Sequence, residues 1–512
     1  MKRKQLIYGL SVAAVYFVLL FLLVSAESSA SSASITGLGS ALWYSLTTLT
    51  TVGYGDTYPV TVAGRLIGTV FQLLSIGILA IVITAVFSLI RGRVLPLAYL
   101  MSKRSRLWYI FSQVNPLSLL IVDALSRDNK DAVFIFCDMG DTQDVVPVGV
   151  KVALSPQKLL AFQKGRGKAV VFAIQYDQIA NDRLAAQLKD TPCKVCVMSD
   201  FEPDRLTDDL ILFNPYDICA RLYWHRNPLI SENEKIILVG EGKYAEALLE
   251  QALIYNVVSP EQRVTYQIIG NFSNFRRNHP CLDQVFERID SICFSDGPWN
   301  EDLEVYKSAD RIIFCYDNAE TAIEEVTQLM RYCPVRGNIY VRGVSSLDGI
   351  HAFGTLEEIY QPEYLLNTGL NELAVRLHRI YQDSVPEASD WKNLSGFLRR
   401  SNLASADHLL MKVRILLKDV SLVLSSRDAS LPSDILAKAA GIYRAMDEED
   451  LDFCRRIEHE RWMRFHLMNN WQYAEKRDNA RRLHPLLRPY DELKYTDRLK
   501  DNYAWELIEK LI

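Results

Sequence analysis

The sequence predicts a membrane α-helical segment of two spans around a short helix and a glycine-containing strand. Two doubly wound (Rossmann-like) parallel α/β units come next, then a small, mainly helical C-terminal unit. Three observations predict this. Residues 1–96 are mostly apolar, with uncharged stretches at Leu6–Val24 and Leu66–Ile90. Beyond residue 105, short apolar strands alternate with helical patterns, and the plan repeats. Beyond about residue 390 amphipathic helices take over. The 512 residues thus divide into 1–96, 97–230, 231–385, a helical linker 386–450 and a last unit 451–512. A net charge of −5 provides no basic footprint for nucleic acid. All nine cysteines lie between Cys137 and Cys454, without disulfide spacing, as expected of reduced thiols in a cytosolic body. Cys193 and Cys196 form a C-x-x-C, but strand alternation turns them away from a shared centre and no second pair succeeds them.

The two apolar stretches hold 19 and 25 residues, and each can cross a hydrocarbon core of about 30 Å. Lys2, Arg3 and Lys4 before an apolar run and Ser25-Ala26-Glu27 imitate a cleaved signal peptide. The run is long for a signal, and a retained span is expected. Arg91, Arg93, Lys103, Arg104 and Arg106 come after the second stretch, whereas the intervening loop has only Glu27, Asp56 and Arg65 as charges. That asymmetry places both termini on the cytoplasmic side of a cell (inner or plasma) membrane, in a multi-pass arrangement.

Ala41–Thr50 reads as a short helix, and its C-terminal dipole points its negative end onward along the chain. The next six residues are Thr51-Val52-Gly53-Tyr54-Gly55-Asp56. A dehydrated potassium ion needs oxygen ligands, and rows of backbone carbonyls supply them. Carbonyls all turn inward only if the backbone alternates in handedness, which Gly53 and Gly55 tolerate. Potassium ions would lie at Thr51, Val52, Gly53 and Tyr54, with the Thr51 hydroxyl at the inner end. Val52 and Tyr54 would point outward and brace the strand. Irregular backbone at membrane depth is tolerable only where it lines a hydrated pore.

Residues 1–96 with this motif closely resemble two-span potassium channel pores. The resemblance implies a homotetramer, a hydrogen bond between Trp43 and Asp56 behind the filter, and Tyr58-Pro59-Val60-Thr61 as the loop into the inner helix. Two residues depart from the pattern: Tyr44 stands where many members have a second tryptophan, and Thr47 where some bacterial members carry glutamate. Gly77, mid-way along the second stretch, has two readings, a gating hinge or a close-packing position. No Arg-rich span precedes the motif, so no voltage sensor is expected.

In residues 105–230, Leu107–Phe111, Ala132–Cys137, Ala169–Ile174 and Cys193–Met198 read as buried strands. The first turn, Ser112–Pro116, lacks glycines for close approach of a pyrophosphate. Asp138 reads as a strand end rather than a ribose ligand. In residues 233–384 the strands are Lys235–Val239, Thr265–Ile269, Arg311–Cys315 and Asn338–Val341. The first leads into Gly240-Glu241-Gly242-Lys243-Tyr244-Ala245, a G-x-G-x-x-A opening a helix. Gly240, Gly242 and Ala245 are nucleotide-binding candidates, with tight helix–strand packing as the alternative. Two such units after a pore resemble tandem RCK (regulator of potassium conductance) gating rings, and more loosely TrkA-type modules. The resemblance implies a ring of eight domains whose dilation pulls on the inner helix through Arg93–Ser105.

Asp447–Asp450 read as acids at a helix start rather than a calcium site. Residues 451–512 hold Glu458-His459-Glu460-Arg461-Trp462, Trp471-x-Tyr473, Lys476-Arg477-Asp478 and His484-Pro485-x-Leu487-x-Pro489-Tyr490. They resemble a ryanodine-receptor repeat (RyR) domain. Arg461, Trp462, Trp471, Tyr473, Arg477 and Tyr490 combine stacking faces with charge, as a planar anionic ligand such as a nucleotide requires. The alternative reading makes the aromatics a small core and the arginines solvated. The whole sequence therefore reads as a potassium channel rather than an enzyme. Its gating ligand would be a small intracellular molecule of the nucleotide or cyclic dinucleotide class. A non-conducting scaffold and a membrane-anchored NAD-binding enzyme are the rival readings.

Overall fold

In a computed structural model the described residues are 2–137, 148–165, 167–200, 207, 209–286, 289–345, 348–366, 369–385, 387–419 and 431–512; within these, side chains are described outside 2–13 and 75–78. Asp138 lies outside them. The chain forms two compact units, 1–103 and 104–512.

The first unit is helical. Helices α1 (Lys2–Glu27), α2 (Leu38–Leu49) and α3 (Val62–Leu89) pack around Leu20, Leu23, Ile35, Ala41, Tyr44 and Phe71. A π-helical turn, Ile90–Val94, carries α3 into the helix Leu95–Ser102. Among the described residues, Val62–Ser102 is the one helix long and apolar enough to cross a membrane, and Ala14–Glu27 is a shorter apolar stretch. Of the segment Arg93–Ser105, residues through Ser102 are thus helical. Buried Glu27 ties the end of α1 to the start of α3. Its carboxylate accepts from Val60 N–H and Thr61 N–H, each at 2.9 Å, and from the Thr61 hydroxyl at 2.7 Å. Tyr44, which departs from the family pattern, packs against α3 at Gly68, where a Cβ would lie 2.7 Å from its hydroxyl.

The second unit contains two six-stranded parallel sheets. The first has strands β1 (Trp108–Phe111), β2 (Val133–Phe136), β3 (Val150–Lys151), β4 (Ala169–Ala173), β5 (Lys194–Met198) and β6 (Leu210–Phe213), in the order β3-β2-β1-β4-β5-β6. The second has β7 (Lys235–Glu241), β8 (Thr265–Ile269), β9 (Ser291–Ser295), β10 (Arg311–Tyr316), β11 (Asn338–Arg342) and β12 (His351–Phe353). Its order, β9-β8-β7-β10-β11-β12, is the same doubly wound plan. Central strands such as β1 and β4 are buried along their whole length, as a sheet covered on both faces requires.

The segment expected as a linker is core. Helix Gly396–Leu417 buries thirteen of its residues, and helices Ser433–Arg444, Glu448–Met468 and Tyr503–Lys510 pack with it around Ile457, Leu409 and Trp505. One continuous apolar cluster runs from Tyr109 in β1 through Tyr266 in β8 to Met411 and Phe465. Buried charges knit the same elements. Arg464 lies 2.9 Å from Asp290, just before β9, and both side chains are fully buried. Removing one partner of such a pair costs about 3–5 kcal/mol, because the other is left buried and uncompensated. Arg464→Met should lower stability by that amount in thermal or denaturant unfolding, and Asp290→Asn added to it should restore part of the loss.

Candidate functional site

The strand after α2 is held from one end. Helix α2 closes with the carbonyl of Thr47 accepting two N–H groups, from Val52 at 3.0 Å and Gly53 at 3.1 Å. The backbone then takes positive φ at every second residue: 60° at Thr51, 53° at Gly53 and 73° at Gly55. Gly53 and Gly55 tolerate this, but Thr51 is β-branched and strained there. Trp43 on α2 braces the outer end. Its Nε1–H donates to Asp56 Oδ2 at 2.8 Å, and its ring stacks on Tyr54 with centroids 5.8 Å apart. Residues 51–56 are all exposed in the single chain. Gly77 lies within α3.

The G-x-G-x-x-A turn has a different environment. A Cβ on Gly240 would meet the Cys315 carbonyl at 1.9 Å, and one on Gly242 would meet the Asp317 carboxylate at 2.5 Å. Asp317 Oδ1 accepts from Tyr244 N–H at 3.3 Å, at the start of helix Lys243–Tyr255. A helix N-terminus attracts anions, and here the chain's own carboxylate occupies it. Ala245 is fully buried, and Lys243 reaches across to Asp200 at 2.6 Å. The close contacts of Gly240 and Gly242 are of the kind the packing alternative describes. The glycine-free first turn is filled too: Asn115 caps helix Pro116–Asp128 and donates to the Ile174 carbonyl at 2.9 Å.

The six C-terminal candidates separate into two groups. Trp471 is buried against Phe397, ring centroids 5.0 Å apart. Tyr490 is buried between the guanidinium groups of Arg456 and Arg498, and its hydroxyl donates to Asp452 at 2.8 Å. Tyr473 is exposed beneath Arg488. These three build or cover the domain. Arg461, Trp462 and Arg477, by contrast, line a cavity of about 1060 Å³. Its other walls come from helix Gly396–Leu417, from Tyr381 at the end of the second α/β unit, and from residues near 484–504. Residue spacing within 451–512 could not reveal those walls. Within the Glu458-His459-Glu460 run, Glu458 turns to Lys412 and Arg461 while Glu460 turns to Arg464. No metal-holding cluster occurs among the described residues.

Comparisons with known proteins bear on the first unit. A family described as "Ion channel" matches residues 8–92. The potassium voltage-gated channel protein Shal of Drosophila melanogaster is 31% identical over 83 residues, which are 16% of this chain and 14% of that protein. The A-type voltage-gated potassium channel KCND3 of Homo sapiens is 30% identical over 83 residues, 16% of this chain and 12% of that one. The match thus spans a small fraction of either relative. A solved structure described as the GsuK channel covers 70% of this chain and 98% of its own, at 15% identity and a TM-score of 0.37. A second, of GsuK bound to ADP, covers 71% and 99%, at 14% and 0.34.

His484, one of three histidines lining the cavity, supplies a test. Burial, aided by the charges of Arg477, Lys500 and His459, holds His484 down at about 4. Its Nδ1 accepts from Leu486 N–H at 3.1 Å, as a neutral ring can. Unfolded, the imidazole titrates near about 6.5. Between these values the unfolded chain binds more protons, so His484 costs stability as pH falls through that window. The melting temperature should drop between about pH 7 and about pH 5, and His484→Gln should flatten the drop. An unchanged slope would show that His484 titrates normally.

Proposed function

We propose that this chain, whose residues 8–92 carry an ion-channel domain, assembles as a homotetrameric potassium-selective channel whose conduction a small intracellular ligand controls. The observation that carries the reading is the backbone of Thr51–Gly55, with left-handed φ at alternate residues. Alternation of that kind turns successive carbonyls to one side, as a potassium filter requires. One chain supplies one side of each oxygen ring, and the exposure of residues 51–56 leaves room for three more copies. Trp43 and Asp56 hold the strand open against collapse, and Gly77 is kept as a hinge position in the inner helix.

On this reading α1 and α3 span the cell membrane with both termini in the cytoplasm. The two α/β units act as RCK-like modules in a ring. The helix from Val62 ends at Ser102, and β1 begins at Trp108. So short a connection transmits movement of the ring to the inner helix. Such a ligand gates only by binding the open and closed rings with different affinity. The role is transport rather than catalysis.

The test is potassium flux in vesicles reconstituted with the whole chain. Wild type should pass potassium in preference to sodium. Gly55→Val, which places a β-branched residue at φ 73°, should abolish the flux while leaving assembly intact. Equal flux in the variant would rule out this strand as the conduction path.

A further inference from the structure

We infer that the cavity between helices Gly396–Leu417 and Glu448–Met468 binds a nucleotide, with Arg461 taking a phosphate and the aromatic walls taking the base. The inference deepens the ligand-control half of the proposed function and rests on it for its consequence, though not for binding itself.

Charge is the first argument. Lys412, in the core, and Arg461, in the cavity wall, share a single carboxylate. Glu458 Oε2 lies 2.7 Å from Lys412 Nζ, and Glu458 takes Arg461 Nε at 3.0 Å and Nη2 at 2.6 Å. All three side chains are nearly or wholly buried. Asp501, the next carboxylate, lies 3.5 Å from His459 Nδ1, and burial pushes its acid up. His408 is held neutral by burial and by these same two cations. Two buried cations, Lys412 and Arg461, thus lie among two carboxylates, Glu458 and Asp501.

An orphaned donor is the second argument. Arg461 lines the cavity, and its Nη1 is buried with no hydrogen-bond partner among the described residues. A buried donor left unpaired costs about 1–3 kcal/mol. A phosphate oxygen would satisfy it with a charge-assisted bond. Closer to the rim, Arg477 bonds Asn479, and Arg488 bonds Tyr473 and the Pro485 carbonyl, so both guanidinium groups spend their contacts on neutral acceptors. Glu475 and Glu492 also face the rim.

Shape is the third. Tyr381, Trp462 and Tyr503 present ring surface to the cavity, and a purine or pyrimidine stacks on such walls with little regard to sequence. The volume of about 1060 Å³ lies at the upper end of ordinary ligand clefts, roughly 300–1,000 Å³. It therefore has room for two bases as well as one. Helix Glu448–Met468 connects the site to the rest of the unit: Arg461 faces the cavity, and three residues on Arg464 grips Asp290 beside β9.

Calorimetric titration of the detergent-purified whole chain tests this with ADP, cyclic di-AMP, adenosine and pyrophosphate. ADP or cyclic di-AMP should bind, with adenosine and pyrophosphate each weaker by about 10-fold or more, since each lacks one half of the recognition. Arg461→Met should weaken nucleotide binding by about 10-fold or more. The rim change Arg477→Ala, on an exposed side chain that carries no fold, should weaken it by several-fold. Arg481→Ala, outside the cavity, should leave it unchanged. No binding of any probe by wild type overturns the inference, as does equal affinity in Arg461→Met and Arg477→Ala. Potassium flux from the same preparation separates the two readings. A conducting chain that binds nothing keeps the channel and loses the cavity; a binding chain that does not conduct does the reverse.

Discussion

A guanidinium taken out of water must be met where it lies, and residues 104–512 are organised around that constraint. Arg221, at the end of the first α/β unit, meets Asp407 on helix Gly396–Leu417 at 2.8 and 2.9 Å. Arg311, opening β10, meets Glu234 at 2.6 Å and the carbonyls of Asn227 and Pro228 at 2.7 Å. Arg414 meets the Tyr255 hydroxyl and the His225 carbonyl. Arg464 meets Asp290. Each contact joins segments far apart in the chain. None is strong evidence of net stability, since desolvation offsets much of the attraction. What such pairs supply is register: shifting one helix by a turn would strand several buried charges at once. The apolar cluster through both sheets provides the stabilisation, and the charges select one arrangement of it.

The same rule explains the cavity by contrast. Arg221, Arg311 and Arg414 leave no buried donor unmet, whereas at Arg461 the set of acceptors stops one short. Arg464 also keeps one unmet donor, Nη2, but it is packed in the core and lines no part of the cavity. Arg461, by contrast, is a residue of the cavity wall, and sites of recognition are where such costs collect. The first unit shows a parallel case. Thr51 sits in a backbone conformation that disfavours β-branched residues, in a strand with few neighbours of its own chain. In both places a local rule is broken where a partner is expected.

Much of this was legible in the residues, and the parts that were missed have a common physical cause. All eight strands read from apolar runs are present within a residue or two. In the two six-stranded sheets the unread strands, β3, β6, β9 and β12, are the four edges; the two-residue strands Gln472–Tyr473 and Leu483–His484, which pair with each other, were unread as well. Three of these edges, β3, β9 and β12, are short or half-covered and lack a continuous apolar run, and β9 is exposed or intermediate throughout; β6, Leu210–Phe213, is apolar throughout but only four residues long. The G-x-G-x-x-A pattern was legible as a tight strand–turn–helix. The Asp317 carboxylate at that helix start was not, because it arrives from just beyond the neighbouring strand β10. Trp471 and Tyr490 carried the right chemistry for stacking, but burial spent it on the domain's own core.

Local sequence alone determined the order of elements, the two doubly wound repeats and the alternating strand at Thr51–Gly55. Those features arise from periodicity, chain-neighbour sterics and the absence of a Cβ at Gly53 and Gly55. Only the tertiary structure decided which charged and aromatic residues remain available. Whether an arginine is matched or left with a spare donor depends on side chains brought from far along the chain. Lys412 and Glu458 meet Arg461 because two helices converge, and no spacing within one segment encodes that meeting.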